Sequence, residues 1–358
     1  MRRTIGIMLV TVVAVISVIY PALSEPRDSF KVAWSIYTPN MPWGWADDNG
    51  IVKKWADKFG ITITSTKFTD YVESINQYTS GEYDALLVTN MDTIVTPAVG
   101  GIDNTVIVVQ DYSNGNDAVI LKGKDKTLED IKGQTVHLIL YSVNHYILTR
   151  ALESVGLSEK DVSLVNLSDA DQVAAFNTSD VTAMAAFHPT VYELSKRSDT
   201  VNVFNSSMIP GEILDMIVAH TDVVKENPNF GNALACIWFD VLEVTLEDSE
   251  RGRKARRDMG IASGTDRAGF EAQLETTHFF HESDHKEFVE GDQIIGHTDR
   301  LREFLYGLNL LGATAKSSDA IGVEFPSGHV SGGKENIKLR FTDDYVGYAK
   351  KECDKPNR

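Results

Sequence analysis

Cysteine is nearly absent from the 358 residues: Cys236 and Cys353 are the only two, which excludes a four-cysteine metal site and a dense disulfide framework. In an oxidising compartment the two can pair. Alternatively Cys236, inside the apolar stretch Ala235-Cys236-Ile237-Trp238-Phe239, is a small buried hydrophobe. Both readings stay open. Basic residues are also scarce, with 34 Lys and Arg against 51 Asp and Glu for a formal charge of −17, so nucleic acid is excluded as a partner because phosphate binding needs clustered cations. The acidic surface itself speaks to solubility and not to a ligand. A membrane-spanning run is missing too. The longest apolar stretch, Ile5 to Ile19, falls short of the roughly 20 residues a spanning helix needs; it is interrupted by Gly6, Thr11 and Ser17 and followed by Pro21. Preceded by Arg2 and Arg3 and followed by Pro21-Ala22-Leu23-Ser24, it reads as a secretory signal peptide over residues 1–24. No cysteine follows for a lipid anchor, and Thr4-Ile5-Gly6 replaces the Phe and Leu of a twin-arginine signal. The mature chain is therefore expected outside the cytoplasm, unanchored, with a charge near −19 once Arg2 and Arg3 are removed.

Roughly 330 residues then remain, more than one core comfortably holds, which predicts two lobes. Strand-like runs alternate with helical ones: Lys31–Ile36, a helix near Trp43–Phe59, Ile61–Thr66, a helix near Tyr71–Thr79, then Ala85–Val88. A second block starts at Asp117, with strands Ala118–Leu121, Val136–Leu140, Val162–Val165 and Val181–Ala185 between helices near Asn144–Ser154 and Asp171–Phe176. Alternation of this kind predicts an α/β fold of mainly parallel sheets flanked by crossover helices. After Ile213–Ala219 the pattern turns helical, through Phe230–Leu246 and Asp299–Leu310. Residues 25–112 and 217–358 are assigned to one lobe and 113–216 to the other. The crossings Tyr112–Asn116 and Pro210–Asp215 carry Gly or Pro, which suits a two-segment hinge and ordinary turns equally.

Ligands of parallel sheets sit outside the carboxyl ends of the strands. The loops there, residues 37–45, 68–71, 89–93, 111–117, 141–146, 187–190 and 208–212, are rich in aromatics and carboxylates and contain no Lys or Arg; Lys67 lies just outside one of them. An anion would need positive charge or clustered donors to replace its hydration. A small cation or polar neutral solute fits better, held by aromatic faces and paired carboxylate oxygens. The candidate contacts are Tyr37, Trp43, Trp45, Asp92, Asp111, Tyr112, Asn144, His145 and Glu212, with Trp43 as the leading aromatic. Trp43, Asp92 and Tyr112 are expected to face Asn144, His145 and Glu212 across a cleft. The same residue types also serve plain structural ends: Asp70 and Asp92 stand where helix caps stand, and Trp and Tyr are common half-buried core.

Two enzyme motifs fail on context. His281-Glu282-Ser283-Asp284-His285 matches H-E-x-x-H, the pattern of a zinc-dependent hydrolase, but Ser283 and Asp284 are helix-starting residues that would set the two histidines on either side of a helix boundary. Gly328 to Glu335 approaches a P-loop, yet Glu335 stands at the hydroxyl position and a strand-like run, Ile337–Leu339, follows in place of a helix. No enzyme activity, metal or cofactor is expected.

Several stretches resemble ABC-transporter solute-binding proteins of the nitrate, sulfonate and taurine type: Gly81-Glu82-Tyr83-Asp84 before a strand, Leu310-Leu311-Gly312 after a helix, and the Trp-rich loop after the first strand. Residues 70–78, 113–123, 209–213, 322–326 and 337–341 more narrowly resemble the branch associated with urea carboxylase. The resemblance implies a monomeric periplasmic binding protein of type II, with two α/β lobes closing on a solute and delivering it to an ABC permease and its ATPase. It also implies a nitrogen-rich cargo, guanidinium or urea. Guanidinium, planar, cationic and forked, suits the acidic loops. A sulfonate or a pyrimidine remains the alternative cargo, and the enzyme of this fold that makes a thiamine pyrimidine precursor depends on a cysteine-rich iron motif that this chain lacks.

Overall fold

The computed structural model describes residues 27–353; the expected signal peptide lies outside them. Fourteen strands form two mixed sheets. The first contains β1 (Ser29–Ser35), β2 (Thr62–Phe68), β3 (Ala85–Thr89) and β4 (Asn104–Ser113). The chain then builds the whole second sheet from β5 (Asp117–Lys122), β6 (Thr135–Leu138), β7 (Ser163–Asn166), β8 (Ala183–Phe187) and β9 (Thr200–Asn205). It returns to the first sheet with β10 (Leu214–His220), β11 (Thr277–Phe279), β12 (Gly322–Glu324), β13 (Val330–Ser331) and β14 (Ile337–Phe341). The first sheet has the order β13-β12-β14-β4-β10-β3-β1-β2, with β11 beside β4, and the second the order β7-β6-β8-β5-β9.

The expected parallel pairing holds for β2, β1 and β3 and for β7, β6 and β8. Antiparallel strands interrupt it: β10 between β3 and β4, and β5 between β8 and β9. The ten-residue β4 carried no sequence signal, because every residue in it but Tyr112 is buried and a strand covered on both faces shows no alternation. The single helix expected over Trp43–Phe59 is two, Met41–Asp48 and Ile51–Phe59, separated at Gly50, whose φ of +76° suits glycine.

One face of the first sheet is covered by the helices Met41–Asp48, Ile51–Phe59 and Pro228–Leu246, whose Trp43, Trp55, Phe230 and Trp238 are buried with Phe30 and Val32 of β1. Phe30 and Phe230 stack at 4.2 Å between ring centroids. Cys236 and Cys353 form a disulfide, which ties the final helix, Asp344–Glu352, to Pro228–Leu246. Cys236 is also fully buried, so each of the two readings of this residue was half of the answer.

Both rejected motifs are structural. His281 lies ahead of the helix His285–Glu290, so the two histidines do not share a helix face. The buried His285 ring accepts the Val109 N–H at 3.1 Å on Nε2 and donates from Nδ1 to Asp343 at 3.1 Å. Among the described residues no group of three His, Cys, Asp or Glu is placed to hold a metal. Gly328–Glu335 contains β13 and runs through a single 3₁₀ turn, Lys334–Asn336, into β14, with no α-helix following the glycines. No helix among the described residues is long and apolar enough to cross a membrane.

Candidate functional site

The chain crosses between the sheets twice, from β4 to β5 and from β9 to β10, and the crossings lie side by side. Ser206 Oγ accepts the Gly115 N–H at 2.7 Å and lies 2.6 Å from Ser113 Oγ. Gly115 has φ +127°, and a Cβ there would meet Thr276 at 3.1 Å, so this bend requires glycine. Asn90 fixes the second crossing to the first sheet, donating to the Glu212 carbonyl at 3.0 Å and accepting the Leu214 N–H at 3.2 Å.

Between the sheets, beside these crossings, is a small cavity, at the place where α/β sheets take their ligands. The first sheet contributes Ser35, Tyr37 and Asn40 at and after the end of β1, Tyr71 at the start of a helix, Val88 and Thr89 at the end of β3, and Asp215 in β10. The second contributes Asp117 at the start of β5, Val143 at the start of the helix Val143–Ser154, and Phe187 at the end of β8. Parallel strands end and antiparallel strands begin at this edge, which is why the residues converge. Phe187 meets the rings of Tyr37 and Tyr71 edge-on at 5.3 and 6.3 Å.

The cavity is rich in acceptors and has no cation in its lining. Ser35 Oγ, Asn40 Oδ1, Asp117 Oδ1 and Asp215 Oδ2 are all buried without a hydrogen-bond partner. Asp111 and Asp215 are register partners on β4 and β10, next to an irregularity that leaves Gln110 as an extra residue and re-aims the strand. Neither Asp111 oxygen meets an N–H or hydroxyl donor, and its carboxyl faces that of Asp215. Burial pushes the carboxyls up, Asp92 to about 6 and Asp117 and Asp215 to about 7, and Asp111 also well above the ordinary range, with the Asp215 charge adding to burial. Burial, then the charges of Asp215, Asp117 and Asp111, raise the Tyr37 phenol, which hydrogen-bonds Asp215. Helix N-termini at such a cleft favour anions. Here Asp70 and Ser142 already accept the N–H groups of Glu73 and Asn144.

The structure brings some of the expected contacts to this cavity and places others away from it. Tyr37 lines it. Asp111 stands behind Asp215, and Asp92 behind Tyr71 and Thr89, whose hydroxyls donate to its carboxylate at 2.8 Å each. Trp43 and Trp45 do not line it: the loop that carries them is a helix facing the core, and the Trp43 indole N–H donates to Ser65 Oγ at 3.0 Å. Tyr112 stacks on His278 at 4.4 Å in a separate cleft with Phe280 and Phe288. Asn144 is buried one residue beyond Val143 and turned to Gln172. His145 Nε2 lies 3.0 Å from Glu159. Glu212 is occupied by a residue outside the loops, Arg150, whose Nε and Nη2 reach its two oxygens at 2.9 and 3.1 Å, and by the Tyr146 hydroxyl at 2.6 Å. Burial raises the Glu212 carboxyl, but these donors more than offset it and leave its pKa lowered.

The expected contacts did not include Ser35, Asn40, Asp117 and Asp215, which line the cavity. The available signal was an aspartate inside or beside an apolar strand run, as Asp215 is in Ile213–Ala219 and Asp117 is before Ala118–Leu121, since a buried charge without a partner marks a site. Trp43 gives a direct check. Trp43→Phe is expected to leave solute affinity within about twofold while lowering stability by about 1–2 kcal/mol through lost packing and the lost indole bond, read by titration and thermal unfolding of the same sample.

Residues 24–256 match the NMT1-like family. The taurine-binding periplasmic protein of Escherichia coli is 23% identical over 223 residues, covering 59% of this chain and 68% of that protein. The periplasmic aliphatic sulphonate binding protein of Escherichia coli superposes with a TM-score of 0.67 at 16% identity, over 81% of this chain and 95% of that one. The alkanesulfonate-binding protein of Xanthomonas axonopodis pv. citri, bound to MOPS, superposes with a TM-score of 0.65 at 16% identity, over 82% and 97%. The fold is that of periplasmic binding proteins.

Proposed function

The chain belongs to the NMT1-like family, and from that premise we propose that it is the periplasmic solute-binding component of an ABC importer, with guanidinium as its cargo. One observation carries the choice of cargo: four buried acceptors without partners, on Ser35, Asn40, Asp117 and Asp215, line one cavity that contains no Lys, Arg or His. A ligand that is all donor and carries positive charge satisfies them, and guanidinium offers six N–H groups in a plane. Tyr37, Tyr71 and Phe187 supply the aromatic walls that a desolvated cation prefers. Urea has the donors without the charge, so it leaves the carboxylates uncompensated. The relatives named for taurine and sulfonates are named for solutes that carry a sulfonate group, for which this cavity supplies no charged donor.

In this reading the sheets with their covering helices are lobes, residues 25–112 with 217–358 and residues 113–216, that close about the crossings Tyr112–Asn116 and Pro210–Asp215. Cargo favours closure by binding the closed form more tightly, and the closed monomer docks on a permease with its ATPase. Calorimetric titration of the ligand-stripped protein with guanidinium, urea, taurine and nitrate tests the assignment. Tight binding of guanidinium with urea at least about 100-fold weaker is expected from the lost charge-assisted bonds. Tight binding of taurine or nitrate instead would replace the cargo assignment and leave the fold untouched.

A further inference from the structure

Asp117 is joined to the crossings by an unbroken line of hydrogen bonds. The Gly115 N–H reaches Ser206 Oγ at 2.7 Å, Ser206 Oγ lies 2.6 Å from Ser113 Oγ, and Ser113 donates to Asp117 Oδ2 at 2.6 Å. Ser113 and Ser206 are fully buried. The direction of the line follows from proton counting. Ser206 Oγ receives two backbone N–H groups, from Gly115 and, at 3.4 Å, from Asp117, so its own proton points to Ser113. Ser113 Oγ then accepts from Ser206 and, at 3.2 Å, from the same Asp117 N–H, which is shared between the two hydroxyls, and this leaves its single proton for Asp117 Oδ2. With Asp117 ionised, Oδ2 is thus an acceptor, and Oδ1, the oxygen without a partner, is left for cargo. The donors come from both crossings: Ser113 and Gly115 from the first, Ser206 from the second.

We infer that Ser113 and Ser206 are positioning residues for cargo: the line that joins both crossings to Asp117 fixes Oδ2, favours the carboxylate over its protonated form, and leaves Oδ1 free to grip a cation. The inference rests on the cargo and hinge readings above. Below about pH 7, where Asp117 carries a proton, binding of the cation releases that proton to solvent, and above it none is exchanged. No cation competes for this control. Asp117 is faced by Asp92, Asp111, Asp215 and the Tyr37 phenol, while Arg150 is turned to Glu212 and Glu153. His188, beside the register partner Phe187, accepts the Tyr192 N–H on Nδ1 and is held neutral by burial. The Ser113 bond pulls the Asp117 carboxyl down against its burial, and loss of the line raises it further.

Two measurements decide the matter on wild type, Ser206→Ala and Ser206→Thr. Guanidinium affinity is followed from pH 5.5 to 8.5, and the Asp117 carboxyl carbon is titrated by NMR in the ligand-free proteins. In Ser206→Ala the midpoints of both curves are expected to move up by about one pH unit, with affinity at pH 7 down about tenfold, and Ser206→Thr restores both. A structural defect would weaken binding equally at every pH. Unmoved midpoints in Ser206→Ala overturn the inference. If wild type binds no guanidinium, the cargo reading falls, and the ligand-free Asp117 titration still decides whether the serines control its charge.

Discussion

Replacing Asp117 and Asp215 together by asparagine abolishes guanidinium capture, with an expected loss of about 100- to 10,000-fold. Each carboxylate contributes a charge-assisted bond worth about 1.5–3 kcal/mol, and nothing else in the cavity lining carries negative charge. Asparagine keeps the shape and one carbonyl oxygen, so the variant isolates charge from geometry. It also folds at least as well as the parent near pH 8, because an unpaired buried carboxylate is the costlier group. The sign of the pH dependence provides the control. Asp92, Asp117 and Asp215 titrate near 6, 7 and 7 in the folded protein against about 3.9 in an unfolded chain. Between these values the folded state binds more protons, so the stability of the ligand-free protein is greatest at low pH in this window and is lost as pH rises through about 7. The double variant loses most of that slope. Affinity retained within tenfold, with the slope gone, would place the cargo away from these two residues.

Much of the fold is legible in the sequence, and the limits are physical. The ends of β1, β3, β5 and β8 lie within a few residues of the apolar runs that predict them, because the first three runs are bounded by a polar residue at the cavity edge, Ser35, Thr89 and Asp117, and the last by Phe187 ahead of His188. β4 and the antiparallel seat of β10 are not legible, since a strand buried on both faces has no period and its direction depends on partners far along the chain. At the site, the donor-poor, acid-rich character is readable from composition of the loops alone. Which acids face the cavity is not. Glu212 and Asp215 stand three residues apart and have opposite fates, one taken by Arg150 from the middle of a helix and the other left with Oδ2 buried and unpartnered. Trp43 fails for a related reason: Met41-Pro42-Trp43-Gly44-Trp45 reads as a loop through its Pro and Gly, yet Pro42 stands in the first turn of a helix, where its missing N–H costs nothing. Gly44 lets that helix approach the Trp34 ring, which a Cβ would meet at 2.3 Å.

Glu212 is where structure and loop composition disagree most, and its removal tests which is right. Glu212→Ala is expected to lower stability by about 2–3 kcal/mol in urea unfolding while changing guanidinium affinity less than about fivefold. The carboxylate is buried at one side of a pair whose other member, Arg150, is mostly covered; removing it leaves Arg150 with only the more exposed Glu153 and leaves the buried Tyr146 hydroxyl without its acceptor. Stranding one member of a buried pair costs about 3–5 kcal/mol, reduced here because water still reaches the guanidinium. Arg150→Met alone strands Glu212 in the same way, and the double variant Glu212→Gln with Arg150→Met recovers most of the loss, since two neutral groups carry no uncompensated charge. That non-additivity identifies the pair as a tie between the β9 to β10 crossing and the helix Val143–Ser154. The opposite pattern, unchanged stability with a loss of more than 100-fold in affinity, would make Glu212 a cargo contact and would move the cation from the Asp117 and Asp215 cavity toward the crossing.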